Sequence, residues 1–490
     1  MFHLMTTCII RLFQVCVYSF ILSYGFNGQA AQRLKVSENH RFLTYEDGKP
    51  FFYLGDTAWE LFHRTDRKEA DLYLEDRASK GFTVIQAVAL SEEEGLRVPN
   101  SYGHQPLLEN DPARPAVLEG QQNDYWDHVD YIVQKAESLG MYIGMLPTWG
   151  DKWNLKWGVG PEVFTPENAE AYGEWLGKRY RDRAIIWILG GDRSVDTDTH
   201  RSIIESMAKG IRRGDDDRNL MTFHPQGQQN SADIFHQQDW LDFNMVQSGH
   251  GRPGRPNYWF NEKNLSLSPT KPTLDGEPCY EDHPVKDSKW NRRNEPGVLL
   301  DWFDEWDVRV AAYQSMLSGA CGHTYGNHNI WQMWLPGRPE KSVARTPWPE
   351  SLHHAGALHM KYFRNVFETR PFWKLEPYQK GVAQDNPEGP DHVRAARDTD
   401  GNFMLAYLPT GKTIHVGLSG INGKSIRAWW FNPRQNASQL IGDFQKTASR
   451  SFTPPTQGRN NDWLLVIDSV DAKLARLGSS YQNLIPKVRE

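Results

Sequence analysis

The chain has 490 residues and a formal net charge of −6. A chain of this length is too long to fold around one compact core, so we predict two domains. The negative charge and the absence of a clustered Lys/Arg stripe exclude the basic surface that a nucleic-acid-binding protein needs. Aromatic residues make up 12% of the chain, and their flat apolar rings with polar edges suit both a packed core and a cleft that faces sugars.

The first 31 residues have the layout of a secretory signal peptide. Arg11 precedes an apolar run from Leu12 to Leu22, and small residues follow at Gly28, Ala30 and Ala31. The apolar run is short for a transmembrane helix. We therefore expect cleavage near Ala30 or Ala31, export to the periplasm or the extracellular space, and no stable membrane insertion.

Residues from about 50 to 365 alternate short apolar runs with amphipathic stretches, which is the pattern of βα units around a parallel sheet. Helices are predicted over residues 67–81, 124–140 and 166–182. The eight predicted strands are FFYLGDTAW, FTVIQAVAL, MYIGMLPTW, AIIWILGGD, LMTFHP, FNMVQSGH, PTLDGEP and GHTYGNHN.

The segments that leave these strands are long, whereas those that enter them are short. The long segments cover residues 91–124, 226–240, 249–270, 278–303 and 329–353. An eight-stranded βα barrel carries its active site on the strand-to-helix loops, so the asymmetry predicts an α/β fold of the (β/α)8 TIM-barrel type over residues 32–370. A doubly wound dinucleotide-binding sheet is disfavoured because the turn LGDTAW lacks the GxGxxG pattern, and we predict no cofactor.

Residues 371–490 have a different texture, with short alternating runs separated by Gly, Asn and Pro turns. The runs are HVRAARD, FMLAYLP, TIHVGL, SIRAWWFNP and WLLVID. They predict a small antiparallel β-sandwich as the second domain.

Two of the barrel strands end in a carboxylate. Asp192 follows two glycines after the fourth strand, and Glu277 follows the seventh strand in TLDGEP. Strands four and seven lie on opposing sides of an eight-membered ring, so the two side chains can face each other across the mouth. Cleavage of a glycosidic bond needs such a pair, because one group protonates the leaving oxygen and the other attacks the anomeric carbon or activates water.

Each carboxylate also has a structural explanation. Asp192 could cap the following helix or pair with Arg193, and Glu277 could pair with Arg252 or Arg255. Rivals for the second catalytic role are Asp275, Glu281 and Asp282. By strand alternation Asp275 shares a face with Glu277 and is the strongest rival.

Other strand ends carry side chains that can hydrogen-bond hydroxyls or stack on sugar rings. The predicted substrate-binding residues are Asp56, Trp59, Gln86, Trp149, His224, Gln247, His250, Tyr325 and Trp331. Asp56 could instead cap the first helix, and Trp59 could belong to the core.

Metal ligation is the other role open to the histidines of this region. His224, His250, His323 and His328 come from three strands without helical spacing, so we predict hydrogen bonding to sugar and no metal site. Outside the signal segment the cysteines are Cys279 and Cys321, which could form one disulfide or remain buried thiols.

The chain resembles the apiosidase-like glycoside hydrolases of family 140. The stretches that carry the likeness are GKPFFYLGDTAWELFHRTDRKEADLYLEDRASKGFTVIQ, RAIIWILGGD, PTLDGEPCYE and SGACGHTYGNHNIWQMW. The C-terminal region around AWWFNPRQ resembles a collagen-binding-type module. The resemblance covers essentially the whole mature chain. It implies a (β/α)8 barrel with Asp192 and Glu277 as the catalytic pair, in an exported bacterial enzyme that acts on apiose-linked side chains of the pectin rhamnogalacturonan II.

The expected partner is therefore an oligosaccharide or polysaccharide, cleaved with retention of configuration by Asp192 as acid/base and Glu277 as nucleophile. Related retaining barrels more often carry Asn-Glu after strand four, where this chain has Gly-Gly-Asp. The alternatives are a glycosidase for another furanoside and a non-catalytic carbohydrate- or collagen-binding protein, although a binder has no need of opposed carboxylates.

Overall fold

The computed structural model describes residues 32–120, 124–251, 256–285, 302–382, 384 and 386–477. The predicted signal peptide at residues 1–31, and the suggested partners Arg252 and Arg255, lie outside these residues. The described chain contains an α/β barrel followed by an antiparallel β region. The predicted fold class is confirmed.

A small antiparallel sheet at the start of the described chain consists of β1 (Leu34–Val36), β2 (Leu43–Tyr45) and β3 (Pro50–Phe51). The eight parallel strands follow and match the eight predicted apolar runs. They are β4 (Tyr53–Thr57), β5 (Val84–Val88), β6 (Tyr142–Leu146), β7 (Ile185–Gly190), β8 (Met221–His224), β10 (Asn244–Gln247), β11 (Thr273–Asp275) and β12 (Gly322–Tyr325). A short antiparallel strand, β9 (Gln229–Asn230), pairs with β10.

The helices of the described barrel region alternate with these strands. They are α1 (Leu61–Arg64), α2 (Arg67–Ser79), α3 (Tyr125–Ser138), α4 (Pro166–Tyr180), α5 (Asp198–Asp215), α6 (Ala232–Phe235), α7 (Tyr258–Leu265), α8 (Glu305–Leu317), α9 (His328–Trp331), α10 (Trp348–Ser351) and α11 (Ala355–Glu368). Asp66, Asp124 and Thr165 form capping boxes that satisfy the first N–H groups of α2, α3 and α4. These three helices therefore begin where the capping residues of the sequence indicate.

The parallel ladder runs in the order β8-β7-β6-β5-β4-β12-β11-β10, so the last strand of the barrel pairs with the first. At the remaining gap, the Asp242 N–H donates to the Met221 carbonyl at 2.9 Å, and Thr222 Oγ1 donates to the Phe243 carbonyl at 2.6 Å. These contacts bring β8 and β10 together. Because all eight strands run in one direction, their carboxyl ends meet at one mouth.

The second region contains two antiparallel sheets. The larger one has the order β13-β14-β15-β20-β17-β18, and the smaller one pairs β16 with β19. The strands are β13 (Leu375–Pro377), β14 (Arg394–Asp398), β15 (Phe403–Leu408), β16 (Ile414–Gly417), β17 (Ser425–Asn432), β18 (Ala437–Gln445), β19 (Ser449–Phe452) and β20 (Trp463–Ser469). The sequence missed β13, β18 and β19, and β18 is a largely exposed edge strand without an apolar pattern.

Helix α8 joins the two regions. Arg309 makes a bidentate ion pair with Asp462, and both side chains are fully buried. Tyr313 stacks on Tyr407 with ring centroids 4.4 Å apart and ring planes 3° from parallel. The β region therefore packs on the barrel through a specific and buried surface.

Candidate active site

Glu277 lies at the carboxyl end of β11 with an imidazole on each of its carboxylate oxygens. His250 Nε2 lies 2.8 Å from Oε1, and His224 Nε2 lies 3.0 Å from Oε2. The backbone of this turn is also held, because the Gln86 amide donates to the Gly276 carbonyl at 3.0 Å. The carboxylate is buried, its two oxygens are held by His224 and His250, and the turn before it is held by Gln86 of β5.

The surroundings of Glu277 favour its ionised form. Burial by itself raises the pKa of this carboxyl, but hydrogen bonds and positive charge from His224 and His250 outweigh that effect and lower the pKa below its ordinary value. An anionic group at this depth can attack an electrophilic carbon or accept a proton.

Asp192 is turned toward the same mouth by an unusual backbone. The φ angles of Gly190, Gly191 and Asp192 are all positive, at 97°, 105° and 54°. A side chain at Gly191 would place its Cβ 2.8 Å from the backbone nitrogen of Gly150, so that position has room only for glycine. The strand can therefore end in a sharp bend that presents the aspartate, which is 24% exposed.

A single imidazole connects the two carboxylate-bearing residues. The backbone N–H of Asp192 points at His224 Nδ1 at 3.4 Å, while the Nε2 atom of the same ring faces Glu277. His224 Nε2 lies 3.0 Å from Glu277 Oε2, so this ring stands between the two residues. Asp192 Oδ1 accepts the N–H of Gly227 at 3.3 Å, and Arg193 Nη1 lies 3.5 Å from Oδ2.

Aromatic rings form one wall of this mouth. Trp59 lies 5.3 Å from Trp149 and 5.4 Å from His224, measured between ring centroids. Trp149 Nε1 has no hydrogen-bond partner among the described residues. The structure thus brings these three predicted residues together beside Glu277.

Tyr280 is a site residue that the sequence analysis missed. Its ring lies 4.3 Å from the His250 ring, and burial, followed by the negative charges of Glu277 and Asp192, raises the pKa of its hydroxyl. Its contact with His250, which bonds to Glu277, places the Tyr280 ring at the same mouth. Its place three residues after Glu277 was the available signal.

Three further predicted residues occupy different depths of the barrel. Gln86 is fully buried, and besides the Gly276 bond it accepts from the Tyr53 hydroxyl at 3.3 Å, so it supports the turn before Glu277. Gln247 ends β10 and is buried. Trp331 is half-buried on the rim and donates from Nε1 to His328 Nδ1 at 3.2 Å.

Asp56 and Tyr325 do not reach the mouth, which corrects their predicted role in substrate binding. Asp56 is fully buried and bonds to Arg77 at 2.5 Å and Tyr73 at 2.7 Å, both on helix α2. Tyr325 is paired in register with Asp56 and donates to Glu281 at 2.5 Å. Strand alternation points both side chains at the helical layer, a choice that the apolar pattern alone could not show.

The rival carboxylates also point elsewhere. Asp275 accepts from Ser248 Oγ at 2.7 Å and from Asn257 Nδ2 at 3.0 Å, and burial raises its pKa to about 6. The expectation that Asp275 shares a face with Glu277 is wrong, because β11 ends at Asp275 and alternation does not extend through the turn. Glu281 accepts from the N–H of Gly356 in α11, and Asp282 pairs with Arg345.

The remaining features concern metal binding, disulfide bonds and membrane-spanning helices. No group of three or more His, Cys, Asp or Glu side chains in the described ranges is arranged to hold a metal ion. Cys279 and Cys321 are both free thiols. None of the helices that the structure describes is long and apolar enough to span a membrane.

Family models match both regions of the chain. The model of the apiosidase-like catalytic domain matches residues 37–374, and the model of a collagenase collagen-binding domain matches residues 377–468. No curated protein matches the chain.

Among the solved structures that match, two resemble about nine tenths of this chain. One, described as a glycoside hydrolase, is 34% identical with a TM-score of 0.80, over 90% of this chain and 98% of that chain. Another, a family 5 glycoside hydrolase from Bacteroides vulgatus, is 32% identical with a TM-score of 0.82, over 91% of this chain and 96% of that chain. The chain therefore belongs to the apiosidase-like family of glycoside hydrolases.

Proposed function

We propose that this glycoside hydrolase releases apiose-linked side chains from the plant pectin rhamnogalacturonan II, with Asp192 as general acid/base and Glu277 as nucleophile. The observation that carries the catalytic assignment is the position of Glu277 between His224 and His250, one imidazole ring away from Asp192. An ionised carboxylate beside a second carboxyl that is partly exposed is the arrangement that glycosidic bond cleavage uses.

The proposed reaction is a double displacement. A Glu277 oxygen attacks the anomeric carbon while the bond to the leaving oxygen breaks and Asp192 gives its proton to that oxygen. The product is a glycosyl ester on Glu277. Water then attacks the same carbon, Asp192 accepts a proton from it, and Glu277 departs as a carboxylate, so the sugar leaves with retained configuration.

The chain's own residues support these steps. The lowered pKa of Glu277 keeps it ionised for attack. His224 and His250 hold the two carboxylate oxygens and limit their rotation before attack. Trp59 and Trp149 supply flat apolar surfaces for a sugar ring.

The choice of substrate rests on the family and on the expected export. The apiosidase-like model spans the barrel, and an exported enzyme meets polymers outside the cell. A glycosidase for another furanoside would use the same pair of carboxylates, because the loops decide which sugar fits. The apiose linkage is therefore the part of the proposal that most needs a direct test.

A binding protein for carbohydrate or collagen is the competing class. The match to a collagen-binding domain covers the sandwich, yet the buried contacts of Arg309 and Tyr313 with that region favour a buttress for the barrel. A pure binder would not need a buried carboxylate held by two histidines.

The test is to incubate purified protein with rhamnogalacturonan II side-chain oligosaccharides and to follow product mass and the first-formed anomer by NMR. We expect apiose to appear at a new reducing end, with the anomeric configuration of the substrate. Release of the opposite anomer would refute the double displacement. Tight binding without release would establish a binder, and release only from other furanosides would refute the choice of apiose.

A further inference from the structure

An exposed tryptophan stands on the loop that follows β6. Trp157 is 58% exposed, more than any other large hydrophobic residue of the described chain. Leu155 and Val159 on the same loop are 40% and 38% exposed, so three exposed apolar side chains stand within five residues of the chain. Clustered apolar side chains in contact with water often mark a binding surface, whereas single ones do not.

Side-chain contacts anchor the loop that carries Trp157. Asn154 Nδ2 donates to the Ser194 carbonyl at 2.8 Å, and Lys156 Nζ lies 2.9 Å from Asp196. Both anchors belong to the segment that follows Asp192. The exposed indole is therefore held beside the candidate acid by a rigid support, as a preformed subsite requires.

Arg193 links the indole directly to Asp192. Its guanidinium carbon lies 4.3 Å from the centroid of the Trp157 ring, and its Nη1 donates to the Asp192 carbonyl at 2.8 Å. The loop packs tightly here, because a Cβ at Gly158 would lie 2.2 Å from Asp151 Cβ and 2.8 Å from Arg193 Nη2. The Lys156 ammonium lies 5.8 Å from the same ring centroid, and Trp157 nevertheless remains 58% exposed.

We propose that Trp157 is the stacking platform for the sugar on the leaving-group side of the scissile bond. The inference rests on the proposed role of Asp192, because the acid must lie next to the oxygen that it protonates. The sugar attached to that oxygen then extends toward Arg193 and Trp157. A flat indole that is largely exposed suits the apolar face of a sugar, and the subsite therefore selects substrates with a carbohydrate leaving group.

The experiment compares Trp157→Ala and Trp157→Phe with Trp259→Ala, which removes a tryptophan that is 49% exposed on helix α7. Two substrates are used: a rhamnogalacturonan II oligosaccharide and apiosyl fluoride, whose leaving group is too small to reach the loop and needs no acid. We expect Trp157→Ala to raise KM for the oligosaccharide about tenfold or more, with the fluoride reaction within about twofold. Trp157→Phe should recover most of the loss, and Trp259→Ala should match the wild type.

A binding measurement separates stacking from a disturbance of Asp192. Calorimetric titration of the oligosaccharide into Glu277→Gln, with and without Trp157→Ala, reads the subsite without turnover. Weaker binding in the double variant supports the platform, and equal binding overturns it. If the wild type cleaves neither apiose substrate, the proposed function fails. The titration would still show whether Trp157 contributes to binding of the oligosaccharide. Failure of Glu277→Gln to bind the oligosaccharide would overturn the platform for this class of sugar.

Discussion

His250 Nε2 lies 2.8 Å from Glu277 Oε1, on the carboxylate oxygen opposite the one that His224 faces. The carboxylate is thus clamped from both sides in a buried position. Burial alone would favour the neutral acid, so the two imidazoles decide the charge of Glu277.

Replacing His250 by Phe should move the acid limb of the kcat/KM profile to higher pH. The pKa of Glu277 is lowered in the wild type, so loss of one imidazole raises it, and the nucleophile is protonated at pH values where it was ionised. We expect the activity near pH 5 to fall more than the activity near pH 7. His415→Phe, in the sandwich strand β16, serves as control, and an unshifted limb in His250→Phe would contradict the role of His250.

Glu277→Gln should remove at least about a thousandfold of the turnover without unfolding the protein, because an amide cannot form the glycosyl ester. Asp275→Asn is the matched control, since Asp275 faces Ser248 and Asn257 instead of the mouth. Circular dichroism and kcat on the same samples check both points. Comparable turnover in Glu277→Gln and the wild type would end its assignment as nucleophile.

Asp192→Asn should lose most turnover of the oligosaccharide but keep the first step on apiosyl fluoride, since fluoride leaves without a proton. Added azide should then restore turnover and give apiosyl azide of retained configuration, because azide needs no base to attack the ester. Mass spectrometry identifies the azide product. Equal loss on both substrates, without rescue, would assign Asp192 a structural role.

The buried carboxyl of Asp275 should make the stability of the fold depend on pH. Its pKa is raised by burial to about 6, above the ordinary 3.8, so the folded state holds this proton more tightly than the unfolded chain. The contribution is fully present below about pH 4 and is lost as the pH rises through about 6, with a total of about 3 kcal/mol. Asp275→Asn should remove this decline. Tm measured from pH 4 to pH 8 checks it, and parallel curves for variant and wild type would refute it.

The buried pair between α8 and the sandwich predicts a loss of stability. Arg309→Met leaves the Asp462 carboxylate buried with Arg434 at 3.2 Å as its remaining cation, at a cost of about 3 kcal/mol in the free energy of unfolding. Asp462→Asn in the same chain should recover part of it, because no carboxylate is then buried without its Arg309 partner. Urea unfolding measures both, and an Arg309→Met variant as stable as the wild type would show that the pair does not anchor the sandwich.

The sequence by itself determined the number and order of the barrel strands. It also determined that Asp192 and Glu277 follow the carboxyl ends of two of these strands. Short apolar runs that alternate with amphipathic helical stretches favour a parallel sheet covered by helices, and Gly190 and Gly191 take positive φ angles that glycine adopts readily. These are local properties of the chain. They could therefore be predicted without coordinates.

Which face each side chain takes was decided only by the tertiary structure. We predicted Asp56 to bind substrate and Asp275 to be the strongest rival of Glu277, yet both turn to the helical layer, because Arg77 of α2 and Asn257 next to α7 provide their partners. Tyr280 and the clamp of His250 on Glu277 arise between segments that only the closed barrel brings together. Such contacts depend on distances through space, and spacing along the chain does not encode them.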